Sequence, residues 1–332
     1  MIVHINSAAF NVESNFQKLN HMFAFFEDEK HTLFLNEDIS ESEWVNNASK
    51  ITKKFCEIEF KNGAYSIEAE VDLRIGNEND LENNIYSVFD GYILLQNNPI
   101  IFVENATSDG LFLYSIFNNF TECDKINKNF KNRWIEVRGV GGKNEFKKGI
   151  NNELRKFRKE NLPNEKYLRA IVIVDSDKKY PHESLSNTHN DIINYCNEKK
   201  IKYHVLEKRE IENYLPIEVF NDFPHNHPIV KSYLNLNSKQ QSYYDFQDGF
   251  KGRAIKTFDI NIQDLFAGIS TDDEKYLRVG FDRSIKDFFS KKAFPLLFKH
   301  ARISRETLLK NCNMQNDPEE LIQIIKKLEH LL

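Results

Sequence analysis

Apolar positions along this chain change their period twice, and the changes divide it into three parts. Over residues 1–97, Phe16, Leu19, Phe23 and Phe26 fall at helical spacing, and Trp44, Ala48, Ile51 and Phe55 repeat that spacing in the next segment. Ile58 and Phe60 then precede Asn62-Gly63, and Ile67, Ala69, Val71 and Leu73 alternate beyond it. Both residues of an Asn-Gly pair accept positive φ, so this pattern predicts a β-hairpin. After Gly76, the polar stretch 77–84 leads to a helix carrying Ile85, Phe89 and Leu94. Residues 1–97 read as a small α/β accessory domain with no evident chemistry.

From Pro99 the pattern becomes strand–helix alternation. Ile100–Val103 is a short apolar run ending in Glu104, followed by a helix with Leu113, Ile116, Phe117 and Phe120 on one face. Trp134–Val137 is the second predicted strand, and Phe146, Ile150, Leu154 and Phe157 mark the next helix. Ala170–Asp177 reads Ala-Ile-Val-Ile-Val-Asp-Ser-Asp, the β-branched run of a strand buried on both faces of a parallel sheet. Ile192, Ile193 and Cys196 mark a third helix, and Tyr203–Leu206 a fourth strand. This order implies an α/β fold with a central parallel sheet, flanking helices and right-handed crossovers over residues 98–216.

Residues 217–332 lack strand alternation and read as a mainly helical domain. Ser284–Phe298 is aromatic-rich and basic. The last helix has a clear predicted start: Asp317 as N-cap, Pro318 at its first position and Glu320 completing a capping box. Leu321, Ile324, Ile325 and Leu328 give it one apolar stripe, for the core or for a partner.

Composition narrows the class. With 332 residues and 40% hydrophobic content, the chain can bury substantial cores. No stretch is long enough to span a membrane, and the start lacks a signal-peptide pattern. The four cysteines are far apart in sequence, with no Cys-x-x-Cys pair, as expected of reduced cytoplasmic thiols. A net charge of −5 excludes a wholly basic surface but leaves room for a local basic groove.

Candidate chemistry lies at the strand ends. Glu104 follows the first strand of the alternating region, and Asp109 lies in the turn beyond it. Asp175 and Asp177 follow the third strand, and Glu212 comes after the fourth. Ligands of open α/β sheets collect at the carboxyl ends of strands, so these acids should converge. Asp175 and Asp177, two apart in an extended segment, share a face. Carboxylates gathered so closely repel unless cations neutralise them, and oxygen-only ligands select Mg²⁺ or Mn²⁺. Such a site suits phosphodiester chemistry.

The ordered set Phe102-Val-Glu104, Asp109-Gly-Leu-Phe, Asp175-Ser-Asp177 and Glu210-Ile-Glu212-Asn-Tyr-Leu resembles the topoisomerase–primase (Toprim) domain. The nearest variety is that of the overcoming-lysogenization-defect nucleases and related phage-defence effectors. The resemblance covers about residues 98–216. It departs at Asn105, where the family has glycine, and at Asp109, five residues after Glu104 where the family's acid is four residues on. It implies that Glu104, Asp175 and Asp177 hold a catalytic metal, that Glu104 exchanges protons, and that Glu212 and Asp109 serve a second metal position. It further implies a nuclease acting in anti-phage defence beside a separate ATPase sensor subunit.

Gly139-Val-Gly-Gly-Lys143 is not a Walker A loop, because Asn144 follows the lysine, so ATP binding is not expected. The loop either brings Lys143 to a phosphate as part of the catalytic set or is a strand-to-helix turn needing glycine dihedrals. Lys125, Lys128, Lys131, Arg133, Lys143, Lys147, Lys148, Arg155, Lys156, Arg158 and Lys159 form a basic run that would attract a nucleic-acid backbone. His225-Asn-His227, among prolines, reads as a loop. A non-catalytic scaffold and a primase- or topoisomerase-like strand chemistry are the alternatives, and a homo-oligomer is compatible with all of them.

Overall fold

The computed structural model describes residues 1–64, 71–157, 160–223, 227–281, 294–312 and 317–332, and within them the apolar patterns become two four-stranded parallel sheets with helices packed against them. The first sheet comprises β1 (Ile2–Ile5), β2 (Thr32–Phe34), β3 (Leu73–Gly76) and β4 (Ile85–Ser87) in the order β2-β1-β3-β4. Val3 of the central β1 lies opposite Leu33 on one side and Leu73 on the other. Helices α1 (Phe16–Glu27), α2 (Glu43–Asn47), α3 (Lys50–Ala64) and α4 (Val88–Gln96) complete the unit, with Leu19, Phe23, Phe26, Trp44 and Leu95 in its core.

Here the structure corrects the sequence in three places. The predicted hairpin is absent: α3 runs through Asn62-Gly63, and β3 pairs parallel to β1. Gly63 serves a close approach instead of a turn, since a Cβ there would collide with the Leu35 carbonyl oxygen. Ile67 and Ala69 lie outside the described residues. The helix predicted around Trp44 and Phe55 is two helices. Ala48 is extended, and Ser49 Oγ restarts the chain by accepting from Thr52 N at 3.1 Å, which leaves Ile51 exposed. Ile85 belongs to β4, not to the helix that follows.

The second sheet contains β5 (Ile100–Val103), β6 (Glu136–Gly139), β7 (Ala170–Val174) and β8 (Lys202–Val205) in the order β6-β5-β7-β8, all parallel as expected. β6 starts two residues later than predicted, because Arg133 adopts φ +61° and Trp134 N still bonds Asn129 O. The central strands are buried on both faces. Ile101, Val103, Ile171 and Ile173 face the core that holds α5 (Ser108–Asn119) and α6 (Asp124–Lys131). Ile100, Phe102, Ala170, Val172 and Val174 face α7 (Phe146–Leu154) and α8 (Asn187–Glu198). Burying each large branched side chain is worth roughly 1.5–3 kcal/mol.

The α-helices described beyond residue 217 are α9 (Pro228–Leu234), α10 (Ser238–Tyr243), α11 (Ile260–Leu265), α12 (Thr271–Leu277), α13 (Arg305–Cys312) and α14 (Glu320–Glu329), joined by turns and short 3-10 segments with no strand among the described residues. They continue the core of the α5 face through Phe220, Tyr233, Phe246 and Phe281. The apolar stripe of α14 is core. Its predicted capping box is not made: Asp317 Oδ1 does accept from Glu319 N at 3.0 Å, but the Glu320 side chain turns inward. There it accepts from Glu207 N at 2.8 Å, from Tyr214 Oη, and from His204 Nε2 at 2.9 Å, tying α14 to the end of β8. All four cysteines are buried and unpaired. Among the described residues no helix is long and apolar enough to cross a membrane.

Candidate active site at the carboxyl edge of the second sheet

Four of the predicted residues follow neighbouring strands. Glu104 comes directly after β5, and the next residues curl into α5. Asn105 Oδ1 accepts from Thr107 N at 2.9 Å, and its own N–H donates to Asp109 Oδ2 at 3.0 Å. Asp109 is held from both sides, since its Oδ1 accepts from Ser108 Oγ at 2.7 Å. The asparagine that departs from the Toprim pattern thus builds the turn that fixes this acid. Gly139, at the end of β6, lets the turn lie close: a Cβ there would come 2.5 Å from Ala106 N.

Asp175 and Asp177 follow β7. Asp177 takes φ +55°, uncommon for a residue with a side chain but tolerated by Asp. Its N–H donates to Arg209 O at 2.9 Å, and Ser176 Oγ donates to Lys208 O at 2.7 Å, so the turn is clamped to the chain leaving β8. His189, in the first turn of α8, fixes the other side. Its Nε2–H donates to Asp175 O at 2.8 Å, while Nδ1 accepts from Ser186 Oγ at 2.7 Å. Neither side chain was singled out in the sequence, although Ser186 capping α8 is a readable signal.

Lys143 connects the two acidic turns. It sits in a short 3-10 turn, Lys143–Glu145, entered through Gly141 and Gly142 at positive φ. Its Nζ pairs with Asp177 Oδ2 and lies 3.3 Å from Glu104 Oε1. The loop is thus a strand-to-helix turn needing glycine dihedrals, and the lysine it carries meets the carboxylates of the acidic edge. One ammonium reaches both carboxylates, so Glu104 and Asp177 converge. Glu212 lies in the 3-10 turn Ile211–Tyr214 after β8 and is felt electrostatically by Asp175.

Negative charge is in surplus at this edge. Burial pushes the Glu104 carboxyl up to about 7, with Asp177 and Asp109 adding to the rise against the pull of Lys143. Burial raises Asp109 despite its hydrogen bonds. Asp175 is raised well above the usual carboxylate range by burial and by Asp109, Glu212 and Glu104. Glu210, which the sequence did not nominate, is pushed up to about 8 by burial, Glu212 and Asp245. Burial opposes the Lys143 charge, yet Glu104 and Asp177 outweigh it and its pKa is raised.

Glu104 Oε1 and Asp175 Oδ1 are buried without a hydrogen-bond partner, the 3.3 Å contact from Lys143 being an ion pair and not an aligned bond. Orphaned carboxylate oxygens in a cluster of surplus charge fit a hard divalent cation in donor type and in charge. The side chains do not stand arranged around one: among the described residues no group of three or more His, Cys, Asp or Glu is placed to hold a metal. Lys143 lies between two of the candidate ligands, and both Asp109 oxygens are engaged.

The basic run does not form one stripe. α6 packs on one face of the sheet and α7 on the other, and Lys128, Lys148 and Lys156 pair with Glu29, Glu145 and Glu153. Arg158, Lys159, His225 and residues 284–293 lie outside the described residues. Compared with known proteins, the chain matches no family model, no curated protein and no solved structure.

Proposed function

We propose that this protein is a divalent-metal-dependent nuclease of the Toprim kind, hydrolysing phosphodiesters at the edge formed by β5, β6 and β7. The observation that carries this reading is the pair of buried oxygens without a hydrogen bond, Glu104 Oε1 and Asp175 Oδ1, in a group of carboxyls whose pKa values are raised by burial and by one another. Glu104, Asp175 and Asp177 would hold Mg²⁺ or Mn²⁺, with Asp109 and Glu212 beside them. Such an ion would supply Lewis-acid charge at the scissile phosphate. Glu104, whose carboxyl burial pushes up to about 7 with no ion bound, would give up its proton on binding the metal and is the group placed to exchange a proton with the nucleophile or leaving group. Lys143, released from Asp177, places its ammonium beside the phosphate. The resemblance to phage-defence effectors extends the reading to a defence role with a separate ATPase subunit.

Incubating the purified protein with plasmid, single-stranded DNA or tRNA in Mg²⁺ or Mn²⁺ tests this. Cleavage should appear with metal, stop with EDTA, and fall about 100-fold or more in Glu104→Gln and Asp175→Asn. A second reading, a Toprim-like binding scaffold without catalysis, is favoured by Lys143, which partly neutralises Glu104 and Asp177 without any ion. Metal-independent binding with no cleavage of any substrate would select it.

A further inference from the structure

Beside the carboxylate edge, a cavity of about 310 Å³ opens between the β7 and β8 loops and the helical region. Lys179, two residues past Asp177, and Arg209, whose carbonyl accepts from Asp177 N, line its near side. Two residues of extended chain span at most ~7 Å, so the cavity adjoins the acids. Lys251 and Arg253 line the far side with Phe258. Four cations thus meet at one cavity of a chain whose net charge is −5.

Two carboxylates share the lining. Asp245 pairs with Arg209 and offsets its charge within the cavity, leaving Lys179, Lys251 and Arg253 as its cations, and Asp259 Oδ1 caps α11, accepting from Asn261 N at 3.1 Å and Ile262 N at 3.2 Å. Lys179 is loosely paired with Glu183, at 3.5 Å. Lys251 and Arg253 are exposed and, among the described residues, in no ion pair. The Arg253 guanidinium stacks on Phe258, 4.1 Å from the ring centroid. The loop carrying both cations is pinned, with Phe250 N on Leu277 O at 3.2 Å and Gly252 N on Arg278 O at 2.7 Å.

Aromatic and guanidinium planes framed by cations recognise a planar base carrying a phosphate. We infer that this cavity binds one unpaired nucleotide, its base against Phe258 and Arg253 and its phosphate toward Lys251 and Lys179. Its use as a substrate subsite, admitting single strands to the acids and excluding duplex, rests on the nuclease reading; the binding itself does not. A volume of about 310 Å³ lies at the small end of ligand sites and suits one nucleotide, not a paired step.

Binding is measured in EDTA, apart from any cleavage, by fluorescence anisotropy of a short fluorescein-labelled oligo-dT and its RNA counterpart. The single strand should bind at least about 10-fold tighter than the matching duplex, with affinity falling steeply as salt rises. Arg253→Ala and Phe258→Ala should each weaken it about 10-fold, with Arg253→Lys and Phe258→Tyr recovering part of the loss. Lys251→Glu, at an exposed position, gives a second variant that leaves the fold intact. AMP competing as well as the oligonucleotide would assign the site to a free nucleotide and still support the inference. Equal binding of duplex and single strand, variants that bind as the parent does, or inorganic phosphate competing as well as AMP would each overturn it. Cleavage that survives those losses would leave the nuclease reading standing, and binding without cleavage would leave the cavity standing alone.

Discussion

The two sheets are built alike and end differently. Each has four parallel strands, with its two inner strands flanked by shorter or more exposed ones. At the carboxyl edge of the first sheet the polar residues have partners: its buried carboxylate, Asp90, accepts from Asn79 Nδ2 and Ser87 Oγ at 2.7 Å each and from Tyr167 Oη, and amides make up the rest of the contacts. Asn6 caps the turn after β1, Asn36 Oδ1 meets His4 Nε2 at 2.8 Å, and Asn77 Oδ1 accepts from Asn15 Nδ2 at 3.0 Å. At the same edge of the second sheet stand carboxylates, two of them with a buried oxygen lacking a hydrogen bond. The scaffold offers the location in both; the residues placed there decide whether charge is satisfied, as at the first edge, or left in surplus, as at the second.

Exchanging charge for amide is the sharpest way to break the contrast. Glu104→Gln and Asp175→Asn, which make the second edge resemble the first, should remove cleavage as above, whereas Asn77→Ala should leave it within about two-fold. The next largest effect is on stability against pH. Glu104 has a folded pKa of about 7 against an ordinary 4.5, so the protein favours its protonated form. The associated stability is complete below about pH 4.5 and is lost as pH rises through 7, a fall on the order of 2 kcal/mol in urea unfolding without metal. Glu104→Gln should make the measured fall shallower, Asp109, Asp175 and Glu210 supplying the remainder, and an unchanged slope would contradict the burial and crowding assigned to Glu104. A divalent ion acts in the opposite sense: Mn²⁺ should raise the thermal midpoint by a few degrees at pH 8 and little at pH 5, with no rise in Asp175→Asn. The smallest effect belongs to the first sheet, where Asn36→Ala should cost about 0.5 kcal/mol by calorimetry, since its hydrogen bond is exposed.

Legibility in the sequence followed burial. The strands of the second sheet were readable because β5 and β7 are apolar at every position and are followed by charge. The first sheet was not, because β2 and β4 have three residues each and take their partners from distant segments. Asn62-Gly63 misled for the same reason: its glycine answers to Leu35, nearly thirty residues back, and not to a local turn. At the site, Glu104, Asp175 and Asp177 could be named from strand ends, whereas Glu210 was passed over because its burial beside Glu212 and Asp245 is not visible in the sequence. His189 and Glu320 could not, because each acts on an element its own neighbours in sequence do not reveal. The division of the basic run between two faces was not legible, because a linear count of charge does not show that successive helices lie on opposite sides of a sheet.

Gly139 carries no functional group, yet it governs how near the turn bearing Glu104 and Asp109 can settle to its neighbouring strand. Even a methyl group at that position would wedge the two segments apart and shift both acids together. A search for inactive variants should therefore recover position 139 alongside the acidic residues, in a protein that still folds.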